Sequence, residues 1–112
     1  MSVAGELRGK VAIVTGGSRG IGRSMCLAFA AAGAQVVVAS RAEHEPPPDS
    51  PFIKYGSGTI NDTTQQIAVA GGEALAVPCD VTNSDDLRGL ADRTVKHFGR
   101  IDIVVSNAGV DC

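Results

Sequence analysis

The stretch Thr15-Gly16-Gly17-Ser18-Arg19-Gly20-Ile21-Gly22 limits what this chain can fold into more than any other. It follows the apolar run Val11-Ala12-Ile13-Val14 and opens an alanine-rich helical pattern, so the chain begins with a strand, a glycine turn and a helix. Glycines let a backbone turn sharply and come close to a pyrophosphate. The unpaired N–H groups and positive dipole end of the following helix then face that anion. The turn is a phosphate cradle, and it predicts nucleotide binding.

The rest of the chain repeats this rhythm. Residues 10–15 form a short β-branched run, as in a strand buried on both faces of a parallel sheet. Ile21, Met25, Ala28, Phe29 and Ala32 recur at helical spacing, and Gly33 suits the left-handed end of that helix. Residues 35–40, centred on Val36-Val37-Val38-Ala39, read as a second buried strand. Residues 42–58 contain Pro46, Pro47, Pro48 and Pro51 with Gly56 and Gly58, and read as an exposed loop insertion. Thr59 is the expected N-cap of a helix carrying Ile60, Thr64, Ile67 and Ala68 and ended by Gly71-Gly72.

Residues 74–79 are the third strand, and Asp80-Val81-Thr82-Asn83 is a loop. Ser84 is expected to cap the next helix, whose first turn carries Asp85 and Asp86, the charge sign that a helix N-terminus favours. Its apolar stripe is Leu87, Leu90, Ala91, Thr94, Val95 and Phe98, and Gly99 closes it. Residues 101–105 are the fourth strand, followed by the turn Ser106-Asn107-Ala108-Gly109. Alternating strands and helices predict an α/β domain, a doubly wound parallel sheet with helices on both faces. Reversal after the third strand gives the order 3-2-1-4 and opens a ligand crevice above strands 1 and 4.

With 112 residues, one domain is expected, covering 1–112. A formal charge of −2 with scattered Lys and Arg gives no footprint for nucleic acid or an anionic membrane. Residues 1–10 have no apolar signal core, and no run approaches the roughly 20 apolar residues of a membrane span, so a cytoplasmic protein is expected. Cys26, Cys79 and Cys112 are odd in number and widely spaced, which fits reduced thiols better than a disulfide framework or a metal ligand set. Cys26 reads as a small core residue.

Leu7-x-Gly9-Lys10 before the first strand, Thr15-Gly16-x-x-x-Gly20-x-Gly22, Asp80-Val81 after the third strand and Asn107-Ala108-Gly109 after the fourth together resemble the short-chain dehydrogenase/reductase family. The resemblance covers essentially the whole chain and implies a Rossmann-type fold, here the N-terminal part of one. The insertion followed by Gly58-Thr59-Ile60 is similar to hydroxysteroid dehydrogenase-like members. The resemblance implies that Gly16, Gly20 and Gly22 serve the cofactor pyrophosphate, with Ser18, Arg19 and Ile21 around it. It implies that Asp80 and Val81 hold the adenine ring, and that Asn107, Ala108 and Gly109 touch the ribose side. Ser106 stands where the family more often has a second Asn.

A carboxylate ending the second strand would bind the ribose hydroxyls of NAD, whereas an arginine there pairs with the 2′-phosphate of NADP. This chain has Ser40-Arg41, with Arg19 as a second guanidinium, so NADP is expected in preference to NAD. Glu43 and Glu45 are nearby acids able to neutralise Arg41. Residues 17–24 also reproduce the spacing of a nucleoside-triphosphate loop, but Arg23 replaces its required lysine, and the Thr-Gly start and Asn-Ala-Gly turn have no place in such a site.

The family's acid/base pair is Tyr-x-x-x-Lys, assisted by Ser and Asn. The sole tyrosine, Tyr55, precedes Thr59 rather than a lysine and lies in the insertion, and His44 and His97 read as surface residues. No catalytic residue is expected among these 112, and no appreciable hydride transfer from them alone. Two readings remain: the cofactor-binding half of an NADP-dependent oxidoreductase, or a non-catalytic nucleotide-binding or interaction module. The apolar fourth strand is expected to be an edge prone to self-association.

Overall fold

The computed structural model describes residues 5–17, 20–41 and 59–107. Seven elements follow in order: β1 (Val11–Thr15), α1 (Gly20–Ala31), β2 (Gln35–Ser40), α2 (Ile60–Val69), β3 (Ala74–Pro78), α3 (Ser84–Phe98) and β4 (Ile103–Val105). The four strands form one parallel sheet in the order β3-β2-β1-β4, the expected doubly wound arrangement. Parallel neighbours need a crossover, and here a helix follows each of the first three strands. The insertion read over 42–58 lies outside the described residues.

Strand alternation sends side chains to two separate cores. On one face Val14, Val36 and Val38 pack with Cys26 of α1 and with Ile60 and Ile67 of α2. On the other, Val11, Ile13, Val37, Ala39 and Val77 pack with Leu90 of α3. All five residues of β1 are buried because helices cover both of its faces. Each such aliphatic side chain contributes about 1.5–3 kcal/mol when fully buried. Leu7 joins the first core, and its N–H donates to the Ala32 carbonyl at 2.7 Å, closing the chain over the end of α1.

The helix faces differ in detail from those the sequence predicts. In α1 the buried positions are Gly22 and Cys26, whereas Ile21 is 70% exposed, so the contact stripe lies one residue further along than the Ile21–Met25 row. In α2 the buried row is Ile60, Thr63 and Ile67 rather than one running through Thr64 and Ala68. In α3 Leu90 and Thr94 are buried and Phe98 packs against the core, whereas Leu87 and Val95, on the same apolar stripe, are exposed.

Capping shifts once as well. Asn83, not Ser84, caps α3, its side-chain oxygen accepting from the Asp86 N–H at 3.0 Å, and Ser84 becomes the first helical residue. Thr59 and Asp62 form the reciprocal capping box of α2, as the Thr59 reading expects. Gly99 ends α3 in the left-handed region. The fourth strand is two residues shorter than the 101–105 reading. Asp102 uses its carboxylate where a ladder residue would use its carbonyl, accepting the Val11 N–H at 2.8 Å while donating its own N–H to the Val11 carbonyl at 2.9 Å.

Candidate functional site

Strand β1 delivers the chain to the carboxyl edge of the sheet at Thr15, which is buried. Its hydroxyl donates to the Val105 carbonyl at 3.2 Å and accepts the Asn107 N–H at 3.0 Å. One side chain thus ties the ends of β1 and β4 together. The Gly16 N–H donates to Ala39 at 2.7 Å, seating the glycine turn on the end of β2 as well.

The glycines of the turn meet different demands. Gly16 and Gly20 have positive φ, 72° and 61°, a region that L side chains enter at a cost. Gly22 is required for another reason: a Cβ there would lie 2.0 Å from the Gly16 carbonyl oxygen and 2.8 Å from the Asn107 Nδ2. Only glycine allows α1 to come this close to β1 and β4. At Gly20 a Cβ would meet no atom of the described residues within 4 Å.

Charge at the three helix starts separates them further. The first turn of α2 holds Asp62 and that of α3 holds Asp85 and Asp86, whereas α1 has no acid in its first turn. Its positive end is therefore not offset by its own side chains. An exposed glycine at a helix start without acids fits a pyrophosphate, and the described residues pass that test.

Asp80 and Arg41 occupy the neighbouring ends of β3 and β2, where the Cys79 N–H still donates to Ser40 at 2.9 Å. The Asp80 carboxylate accepts from the Thr82 hydroxyl at 2.6 Å and from the Thr82 N–H at 2.9 Å, which holds its pKa below the ordinary carboxylate value; the Arg41 charge adds to the effect. The Asp80 N–H is fixed by Asp86 at 2.9 Å. Val81 packs its side chain against the α3-side core. Arg41 is exposed.

The structure therefore brings Gly16, Gly22 and Asn107 into direct packing, places Gly20 and Ile21 at the start of α1, and sets Asp80, Val81 and Arg41 along the same carboxyl edge. Ser18, Arg19, Ala108 and Gly109 lie outside the described residues. The Arg23 Nε donates to the Thr63 hydroxyl at 3.1 Å, between α1 and α2, which is not where a triphosphate-loop lysine acts. His97 stacks edge-on against Phe98 at 4.6 Å, in the last turn of α3. Cys26 and Cys79 are free and buried, and burial pushes the Cys26 thiol up to about 12, so it is an inert core residue.

Two residues that sequence reasoning passed over stand out. Thr63 is fully buried, and its hydroxyl donates to the Gly17 carbonyl at 2.8 Å. Asp102 braces β1 against β4 and holds Arg100 at 2.8 Å. The available signals were a hydroxyl standing in the apolar row between Ile60 and Ile67, and a carboxylate at the very start of a strand.

Comparison with known proteins agrees with this geometry. A short chain dehydrogenase family model matches residues 10–47, and a model described as enoyl-(acyl carrier protein) reductase matches residues 51–112. The 7alpha-hydroxysteroid dehydrogenase of Escherichia coli K12 is 37% identical over 104 residues, 93% of this chain and 35% of that protein. The 3-oxoacyl-[acyl-carrier-protein] reductase of Synechocystis is 39% identical over 104 residues, 93% of this chain and 37% of that protein. Among solved structures, a short chain dehydrogenase from Mycobacterium smegmatis superposes with a TM-score of 0.78 at 31% identity, covering 96% of this chain and 40% of that one. Hydroxysteroid dehydrogenase from Escherichia coli gives 0.75 at 34% identity, with coverage of 94% and 38%. The chain spans about a third of the length of the curated relatives it matches. With two family models matching residues 10–47 and 51–112 and the parallel sheet order shared with solved members, the chain belongs to the short-chain dehydrogenase/reductase family.

Proposed function

We propose that these 112 residues form the adenosine- and pyrophosphate-binding portion of an oxidoreductase that reduces a carbonyl or oxidises an alcohol, with NADP preferred to NAD. The observation that carries this is the contrast within one turn: Gly22 closed by the Gly16 carbonyl and Asn107, Gly20 exposed, and α1 starting without an acid. Gly16, Ser18, Arg19, Gly20, Ile21 and Gly22 would hold the pyrophosphate, Asp80 and Val81 the adenine, and Asn107, Ala108 and Gly109 the ribose side. Arg41 and Arg19 would take the 2′-phosphate. The bound nicotinamide supplies the hydride chemistry.

The residues described here bind and orient. No Tyr-x-x-x-Lys pair occurs among the 112, so proton transfer to substrate is assigned to residues outside them. The named relatives include a 7alpha-hydroxysteroid dehydrogenase and a 3-oxoacyl-[acyl-carrier-protein] reductase, and both names are compatible with a carbonyl or alcohol substrate. A cytoplasmic location and self-association along the outer edge of β4 belong to the same proposal. The free, buried Cys26 and Cys79 suit a reducing compartment, and Val104 on β4 is 64% exposed.

Calorimetric titration with NADPH and NADH tests the cofactor assignment. NADPH should bind more tightly, and Arg41→Ala should weaken NADPH by about tenfold, the value of one hydrogen bond to a charged group, while leaving NADH nearly unchanged. Equal affinities in the parent chain would overturn the NADP preference.

A further inference from the structure

We infer that Thr63, on a helix outside every recognised cofactor motif of this chain, is a positioning residue that sets the glycine turn for the dinucleotide. The inference rests on the cofactor reading above. Thr63 has no solvent exposure and sits in the apolar row of α2 between Ile60 and Ile67. A hydroxyl in such a row is costly unless it is bonded, and this one has partners on two other segments. It donates to the Gly17 carbonyl at 2.8 Å and accepts from the Arg23 Nε at 3.1 Å. Its contact with the Thr59 carbonyl, four residues back in its own helix, is longer at 3.4 Å. The single hydroxyl proton is thus directed to the turn rather than to the helix.

Binding at this carbonyl has a chemical consequence. A carbonyl facing an anion opposes it with its lone pairs, and a phosphate cradle works only when such oxygens are turned away. Thr63 holds the Gly17 oxygen toward the buried interior. A Cβ at Gly17 would meet Cys26 Sγ and Val38 Cγ1 at 2.9 Å, so the turn packs closely against the core on that side of its backbone. The Arg23 side chain fixes the hydroxyl from the α1 side, so three segments, α1, α2 and the turn, converge on one oxygen atom.

Thr94 provides an internal control. It is equally buried, but its hydroxyl donates to Leu90 of its own helix at 2.7 Å, on α3. Thr63→Val, Thr63→Ser and Thr94→Val would be compared in the whole chain by amide hydrogen exchange at Gly16 and Gly17 without ligand, and by NADPH titration. Thr63→Val should speed exchange at the turn and weaken NADPH by about tenfold, Thr63→Ser should restore both, and Thr94→Val should change neither. Should Thr63→Val fail to fold, Thr63→Ser against Thr63→Ala repeats the comparison with a pair that differs by a single hydroxyl. Turn exchange and NADPH affinity that respond alike to Thr63→Val and Thr94→Val would overturn the inference. Turn exchange that follows the expected pattern in a parent chain that binds no NADPH would uphold Thr63 as the brace of the turn and reject the cofactor reading instead.

Discussion

The two sides of β1 are built to different standards. Toward β2, five residue pairs are in register, Val11 with Gln35 through Thr15 with Ala39, and the paired strands are covered by helices on both faces. Toward β4, three pairs are in register, and Val104 at the centre of that strand is 64% exposed. Both strands have an aliphatic centre in sequence, Val36-Val37-Val38-Ala39 in β2 and Ile103-Val104-Val105 in β4. The difference teaches that a buried-strand pattern reports what a strand can bury, while the number of helices above it decides what it does bury. The glycine turn stands on the well-covered side and reaches across to the thin one through Thr15 and Asn107.

The largest expected effect comes from breaking the place where the two sides meet. Gly22→Ala puts a methyl group 2.0 Å from the Gly16 carbonyl, and overpacking of this kind costs about 3 kcal/mol. Dinucleotide binding should be lost, and thermal unfolding should show a large fall in Tm. A smaller effect sharpens the contrast: Ile67→Ala, in the fully buried core under α2, should cost about 2–4 kcal/mol in denaturant unfolding, whereas Val104→Ala should cost about 0.5 kcal/mol or less. Sedimentation of the Val104→Lys chain should show less self-association than the parent, with stability nearly unchanged.

The smallest effect is a pH dependence at the β1–β4 junction. The Asp102 carboxyl is held below its ordinary value first by its hydrogen bond from Arg100 and then by the bond from the Val11 N–H. A depressed folded value means that its contribution is complete above the unfolded pKa, about 3.9, and is lost as pH falls through the lower folded value. Acid unfolding of the parent should therefore steepen below about pH 4. Asp102→Asn should be less stable at neutral pH and should show a shallower acid slope.

Much of this was legible in the chain itself. The glycine turn, the Thr59 cap and the Gly99 stop follow from local chemistry, because each depends on a few adjacent residues, and strand order follows from the alternation of strands and helices along the chain. What was not legible depends on distant partners. Thr63 looks like any helix threonine until the Gly17 carbonyl is placed beside it, and Asp102 looks like a strand residue until the Val11 N–H claims its carboxylate. Asn83 displaces Ser84 as the cap because Asp86 stands three residues after Asn83 and offers it an N–H, while the Asp86 carboxylate turns back to Asp80. Leu87 and Val95 share the spacing of the apolar stripe of α3 yet are exposed, because spacing does not tell which part of a stripe meets the sheet.

The central claim is that the glycine turn, read across β1 and β4, is a dinucleotide site. Amide NMR of the labelled chain titrated with NADPH tests it most directly. The account predicts saturable shifts at Gly16, Gly20, Gly22, Asp80 and Asn107, and none in the last turn of α3 around His97. Absence of shifts at the turn, or shifts confined to the α3 end, would contradict it.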